Sequence, residues 1–321
     1  MRRSPYRSAV RARGFSLIEL MVALVISLLV LVATVSFYLM TRSTYTTIDD
    51  SSNLEERGQF ALGVITRALR QTAFSPPNTS GGGMIQLAQS DPPMISGVDG
   101  CTSPGTPGDV ESLSQTVSAS CTTTMVDTAN DALEVRFFGS GTAAAPTVPD
   151  NSMVDCSGQG VASPTSIDLA ASQRGLSIFF IQTDNTGSYL ACKFRQRDST
   201  GAATATFATQ QLVPGVESLQ FLYGVSVDGD AVPDVFKRAT DMSTTDWQNV
   251  YAVKVALVVR ADNASADVGT GAQKFTLFGN QYTYGDGTYQ ATANTQMARR
   301  LFTATVQTRN YMTCFSGDPS C

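Results

Sequence analysis

The sequence predicts an α+β fold in which one long N-terminal helix leads into an antiparallel β-sheet head. Three observations predict it. Residues 15–40 are almost wholly apolar and contain neither Pro nor Gly. Helical periodicity then continues to about Phe74. After that, strand-like runs follow one another with no amphipathic helix between them, which favours antiparallel pairing. A length of 321 residues admits such a head together with its helix.

Residues 1–14 form a leader carrying Arg2, Arg3, Arg7, Arg11 and Arg13 and no acid. An ordinary secretory signal places its small-residue cleavage site after the apolar core. Here Gly14 precedes that core, so a cut after Gly14 leaves the apolar stretch on the mature chain. The positive-inside rule keeps the basic leader on the cytoplasmic side.

Residues 15–40, FSLIELMVALVISLLVLVATVSFYLM, form the membrane-spanning half of the helix. At about 1.5 Å per residue they rise roughly 39 Å, enough for a hydrocarbon core of about 30 Å. Glu19 is the exception within them. A carboxylate there costs about 2.5–3.5 kcal/mol on insertion scales, so it calls for a partner. Residues 41–74 continue the helix in amphipathic form. Leu54, Ala61, Ile65, Ala68 and Leu69 recur at the three- and four-residue spacing of one covered face. Glu55, Glu56, Arg57, Arg67 and Arg70 take mostly other faces. Gly58 and Gly63 each cost about 1 kcal/mol against Ala, which points to local softness or close packing. Pro76-Pro77 ends the run.

Residues 75–321 form the head. Residues 75–131, rich in Ser, Thr, Gly and Pro, read as long disulfide-bearing loops with little regular structure. Ala132–Phe138 reads as a strand whose charges, Glu134 and Arg136, alternate outward from its apolar residues. Leu176–Gln182 and Ser188–Phe194 read as a hairpin across the turn at 183–187. Ala205–Val213, Glu217–Val227, Val250–Arg260, Lys274–Phe278 and Leu301–Arg309 read as further strands.

Six cysteines (Cys101, Cys121, Cys156, Cys192, Cys314 and Cys321) all follow the apolar segment, with no C-x-x-C pair and no His in the chain. Disulfides in an oxidising compartment suit that pattern better than zinc. Their pairing stays open, with proximity favouring Cys101–Cys121, Cys156–Cys192 and Cys314–Cys321. Without the leader the chain keeps 17 basic against 27 acidic residues, which argues against a nucleic-acid surface. The absence of His, of a Gly-x-Ser-x-Gly elbow and of a phosphate-binding Lys loop argues against an enzyme.

Three smaller features carry alternatives. Asp228, Asp230 and Asp234 stand at the first, third and seventh positions of a tight loop. There they could meet a calcium ion or simply make a polar turn between strands. Trp247 reads as core packing ahead of a strand. Tyr282, Tyr284 and Tyr289 read as a solvated loop or a partner surface.

The stretch GFSLIELMVAL (Gly14–Leu24) resembles the processing and assembly signal of type IV prepilins and pseudopilins. That resemblance implies the pilin fold. It also implies cleavage by prepilin peptidase between Gly14 and Phe15, N-methylation of Phe15, and Glu19 as the filament-docking charge that meets a neighbouring subunit's N-terminal amine. Three later stretches resemble the PilW family of minor pilins: Leu54–Arg70, Leu212–Asp234, and the pair Val253–Arg260 with Arg299–Asn310. Membership implies a subunit held in the inner membrane with its head in the periplasm. Such a subunit primes pilus assembly with other minor pilins and the major pilin, then sits at or near the tip, often with a large adhesin. A GspJ-like pseudopilin of type II secretion is the competing reading. A DNA-uptake minor pilin would be expected to show a basic stripe.

Overall fold

The computed structural model describes Gly14 and residues 16–76, 92–101, 104, 130–142, 144–164, 173–198, 201–265, 268, 271–279 and 287–310. Phe15, Cys121, Cys314, Cys321, Tyr282 and Tyr284 lie outside the described residues. The chain divides into two compact units, residues 1–49 and 50–321.

The apolar and amphipathic runs form one helix, α1 (Leu17–Gln71). In the first unit its side chains are exposed almost throughout, Leu17, Leu29 and Phe37 among them. The hydroxyls there bond back to the helix itself: Ser27 Oγ donates to the Leu24 carbonyl at 2.9 Å and Thr34 Oγ1 to that of Leu31 at 2.9 Å. They therefore ask nothing of an apolar surrounding.

In the second unit α1 buries Asp50, Leu54, Gly58, Ala61, Ile65, Ala68 and Leu69, the face that the periodicity predicts. That face joins one core with two antiparallel sheets. The first sheet consists of β1 (Ile95–Val98), β2 (Ala132–Phe137), β5 (Gly175–Asp184), β6 (Gly187–Arg197) and β7 (Ala203–Pro214), in that order. The short strands β3 (Gly141–Thr142) and β4 (Ala145–Pro149) pair with each other. The second sheet has the order β13 (Met297–Gln307), β10 (Val250–Ala264), β8 (Val216–Val225), β9 (Val235–Lys237). A pair, β11 (Lys274–Thr276) and β12 (Thr288–Gln290), supplies Phe275 and Tyr289 to a small cluster with Ala256 and Val258 of β10.

Gly215 alone separates β7 of one sheet from β8 of the other. Its φ of +80° is a conformation that L side chains rarely adopt, and a Cβ there would meet the Arg260 carbonyl oxygen at 2.7 Å. Its N–H donates to the Ser188 carbonyl and its carbonyl accepts from the Arg260 N–H, each at 2.8 Å. One residue thus turns the chain and ties β6 to β10. Gly58 answers a packing demand of another kind. A Cβ there would fall 2.2 Å from the Phe302 ring, so the helix can lie this close to β13 only with Gly at that place.

Within the stretch 75–131, Ile95–Val98 forms the short strand β1 and pairs with Val135–Ala132 in reverse register. One strand reading needs correction: Glu134 and Arg136 do not face outward. Both are buried, paired at 2.6 Å. Arg136 Nη1 donates to the Pro93 carbonyl at 2.9 Å, and Ser96 Oγ lies 3.2 Å from Glu134. The segment entering β1 covers that side of the sheet, and alternation cannot reveal what covers a strand.

Gly215→Ala is expected to destabilise the head by about 1–3 kcal/mol, through left-handed strain and the carbonyl clash. Gly63→Ala, with nothing within 4 Å of the new methyl, is expected to be neutral or to stabilise by up to about 1 kcal/mol. Thermal unfolding of the two variants beside the parent checks both.

Candidate assembly and head sites

At the N-terminus, Gly14 and Ser16 are exposed, and α1 begins at Leu17. The Ser16 N–H donates to Glu19 Oε2 at 3.2 Å, and the Glu19 N–H donates to Ser16 Oγ at 3.3 Å. This is the reciprocal capping box, with the carboxylate also favoured by the positive end of the helix dipole. Sequence reasoning assigned Glu19 only an external partner. The S-x-x-E spacing was the signal for this second role. Within one chain, then, the carboxylate is partly satisfied by its own helix end, and its exposure leaves it open to a cation from elsewhere.

In the head, residues from the PilW-like stretches converge. Glu217 opens β8, Arg260 lies near the end of β10, and Arg299 begins β13, so neighbouring strands bring them together. Glu217 Oε1 lies 2.8 Å from Arg260 Nε, and Glu217 Oε2 lies 2.7 Å from Arg299 Nε. The Tyr289 hydroxyl donates to Glu217 Oε2 at 2.5 Å. Arg299 also donates to the carbonyls of Ala293, Asn294 and Met297 at 2.7–3.0 Å, which fixes the approach to β13. Burial, then the bond to Glu217 and its charge, push the Tyr289 phenol up to about 12. Tyr289 is therefore a structural member of this cluster and not a solvated loop residue. Nothing in its spacing announced a partner 72 positions away.

Ion pairs also hold the helix. Arg57 makes a two-bond contact with Asp262, at 2.9 Å and 2.5 Å, and the guanidinium holds the Asp262 carboxyl below its ordinary range. Glu55 pairs with Arg300 at 2.5 Å, and Asn263 Nδ2 donates to Asp50 at 2.9 Å. Arg57 and Glu55 come from the Leu54–Arg70 stretch, and their partners sit on β10 and β13.

The aspartate loop is a turn. Val227 N–H donates to Asp234 at 2.7 Å, Val232 N–H to Asp230 at 2.8 Å and Asp230 N–H to Asp228 at 3.2 Å. Among the described residues no group of three or more His, Cys, Asp or Glu side chains is placed to hold a metal ion. Each carboxylate accepts from backbone nearby, as in a polar turn, and Ser226 Oγ donates towards Asp228 Oδ1 and Asp230 Oδ1 at 3.3 and 3.4 Å.

Cys156 and Cys192 are bonded, one of the three pairs that proximity favours, and Cys101 is also disulfide-bonded. In the chain-entropy view, cross-linking residues 36 apart contributes about 4 kcal/mol. It fastens the loop after β4 onto β6. Trp247 lies on the short helix α2 (Thr244–Gln248), whose N-terminus Ser243 and Asp246 close with a capping box. Its ring meets that of Tyr223 edge-on, with centroids 4.7 Å apart, against the core.

Two family models match the chain. The prokaryotic N-terminal methylation motif matches residues 10–35. The type IV pilus-assembly protein W family, PilW, matches residues 178–310, the span from β5 to the residues just past β13. The Gly215 corner and the Glu217 cluster fall inside the second match, and Leu54–Arg70 falls between the two. Comparison with curated proteins and comparison with solved structures returned no match.

Because the Tyr289 phenol is raised to about 12 in the folded chain, the unfolded chain releases this proton first, near 10. The stability tied to it is therefore full below about pH 10 and lost as pH rises towards 12. Melting temperatures followed from pH 9 to 12 should fall less steeply in Tyr289→Phe than in the parent. Glu217→Gln, which leaves two largely covered guanidiniums without their counter-charge, is expected to cost about 3 kcal/mol by denaturant unfolding.

Proposed function

We propose that this chain, a PilW-family, prepilin-like pilin of the type IV pilus, primes pilus assembly and is then built in at or near the tip. The observation that carries the proposal is the first unit of α1. Its apolar side chains are exposed along its whole length, and a single carboxylate stands near its start. Such a surface requires a bilayer or the helices of neighbouring subunits around it. Prepilin peptidase cutting between Gly14 and Phe15 removes the five leader arginines and creates one new positive charge, the amine of Phe15. Glu19 then has a counter-charge of the right sign on an adjacent subunit, and pairing within an apolar surrounding is strong because little solvent screens it.

Before assembly the helix anchors the chain in the inner membrane, with the head in the periplasm, where the Cys156–Cys192 bond is stable. The partners in this reading are other minor pilins, the major pilin and a large tip adhesin. In this reading the role is structural: Glu217 with Arg260 and Arg299 holds strands together, and Arg57 with Asp262 and Glu55 with Arg300 hold α1.

Mass spectrometry of the mature protein is expected to find a chain beginning with N-methylated Phe15; a retained leader would overturn the assignment. Glu19→Ala is expected to stay in the membrane and to be lost from sheared pili. Deletion should abolish surface pili while leaving exoprotein secretion intact, whereas a pseudopilin would show the reverse.

A further inference from the structure

One groove in the head is bordered by arginines that make no hydrogen bond or ion pair among the described residues. It lies between the last turns of α1 and β13, with a volume of about 770 Å³. Arg67 and Arg70, three apart on α1, stand on one side, and Arg309, just past β13, stands at the end. All three are exposed and, among the described residues, none has a hydrogen-bond or ion-pair partner. No Asp or Glu lines the groove. In a chain with more acidic than basic residues this is an unusual local balance. Elsewhere in the head Arg57, Arg260, Arg299 and Arg300 are all paired with carboxylates.

The second observation is the strand that forms the opposite wall. Among the described residues β13 is the edge of its sheet and pairs with β10 alone. Thr308 N–H donates to the Tyr251 carbonyl on β10, and the register is regular back to Arg299. Backbone groups alternate in direction along an antiparallel strand. The N–H and C=O of Thr303 and Thr305 therefore point away from β10, and both residues line the groove. Leu62, Phe74, Met153 and Val306 add apolar surface to its walls.

We propose that this groove receives an extended acidic segment of a partner protein, added as a strand to β13, with its carboxylates on Arg67, Arg70 and Arg309. Each part of the site then has its use. The edge backbone supplies the ladder, the apolar wall takes alternate side chains, and the guanidiniums make paired bonds to carboxylates. A free phosphate or a lipid headgroup would engage the arginines alone and leave the backbone row and apolar wall idle. The inference concerns the head and does not rest on the proposed place of the protein in the pilus.

The test uses the full-length chain in detergent micelles and a fluorescein-labelled octapeptide of alternating Glu and Val, followed by anisotropy. The expected result is saturable binding that weakens with salt, accompanied by slowed amide exchange over 303–307. Arg67→Ala/Arg70→Ala/Arg309→Ala should weaken it about tenfold or more, a loss of about 1.4 kcal/mol or more. Thr305→Pro, which removes an outward N–H and spares the β10 ladder, should do likewise. Replacing the three arginines by Glu should transfer the preference to an alternating Lys–Val peptide, which the parent should not bind. Equal binding by the parent and the triple Ala variant would overturn the proposal, as would binding without protection of 303–307. So would failure of the acidic peptide while phosphatidylglycerol vesicles or duplex DNA bind through the same arginines.

Discussion

The head depends on a corner that only one residue type can make. Between β7 and β8 the chain leaves one sheet and enters the other with Gly215 as the sole connection. The turn requires positive φ, and the approach of the Arg260 carbonyl leaves no space for a side chain. The same residue's N–H and C=O are both used, one towards β6 and one towards β10, so the corner is also a hydrogen-bonded seam. Glu217, two residues further on, adds the electrostatic counterpart by gathering Arg260 and Arg299 from the next two strands.

α1 serves two surroundings with one backbone geometry. Its apolar part carries hydroxyls that satisfy themselves within the helix, the condition for a segment placed where no water is available. From Asp50 onward the helix meets the sheets through small residues, Gly58, Ala61 and Ala68, which allow close approach, with Ile65 and Leu69 filling the core. Salt bridges at its flanks, Arg57 to Asp262 and Glu55 to Arg300, set the register of that docking more than its strength, because both have exposed partners. The PilW match over 178–310 takes in the whole second sheet and the β5–β7 side of the first, and the methylation-motif match over 10–35 covers the helix's apolar start.

Charge in this head falls into two kinds. Some groups are consumed by the fold: Glu134 with Arg136, Glu217 with its two arginines, and the aspartates of the 228–234 turn. Others, the arginines at 67, 70 and 309 among them, have no hydrogen-bond or ion-pair partner among the described residues. Those arginines flank the one long strand edge that the groove exposes. The distinction matters because a structural charge resists substitution for reasons of folding, while an unpartnered one can change without disturbing the core.

The sequence by itself determined what local periodicity encodes. The unbroken apolar run, the covered face at Leu54, Ala61, Ile65, Ala68 and Leu69, the hairpin across residues 183–187 and most strand positions were legible because each depends on neighbours within a few residues. So was the resemblance to PilW, carried by contiguous stretches. Tertiary structure alone decided what faces what. Glu134 and Arg136 follow the same alternation as exposed strand charges and yet are buried, with the Pro93 carbonyl and Ser96 from a distant segment bonded to them. Tyr289 looked like a loop tyrosine until Glu217 came within bonding distance. The aspartates of the 228–234 loop had the spacing of a cation site, yet their turn directs them to nearby N–H groups. For the first two the deciding quantity is desolvation by a segment distant in sequence, and a pattern of residue types contains no record of which distant segment arrives; for the aspartates it is the local backbone path of the turn.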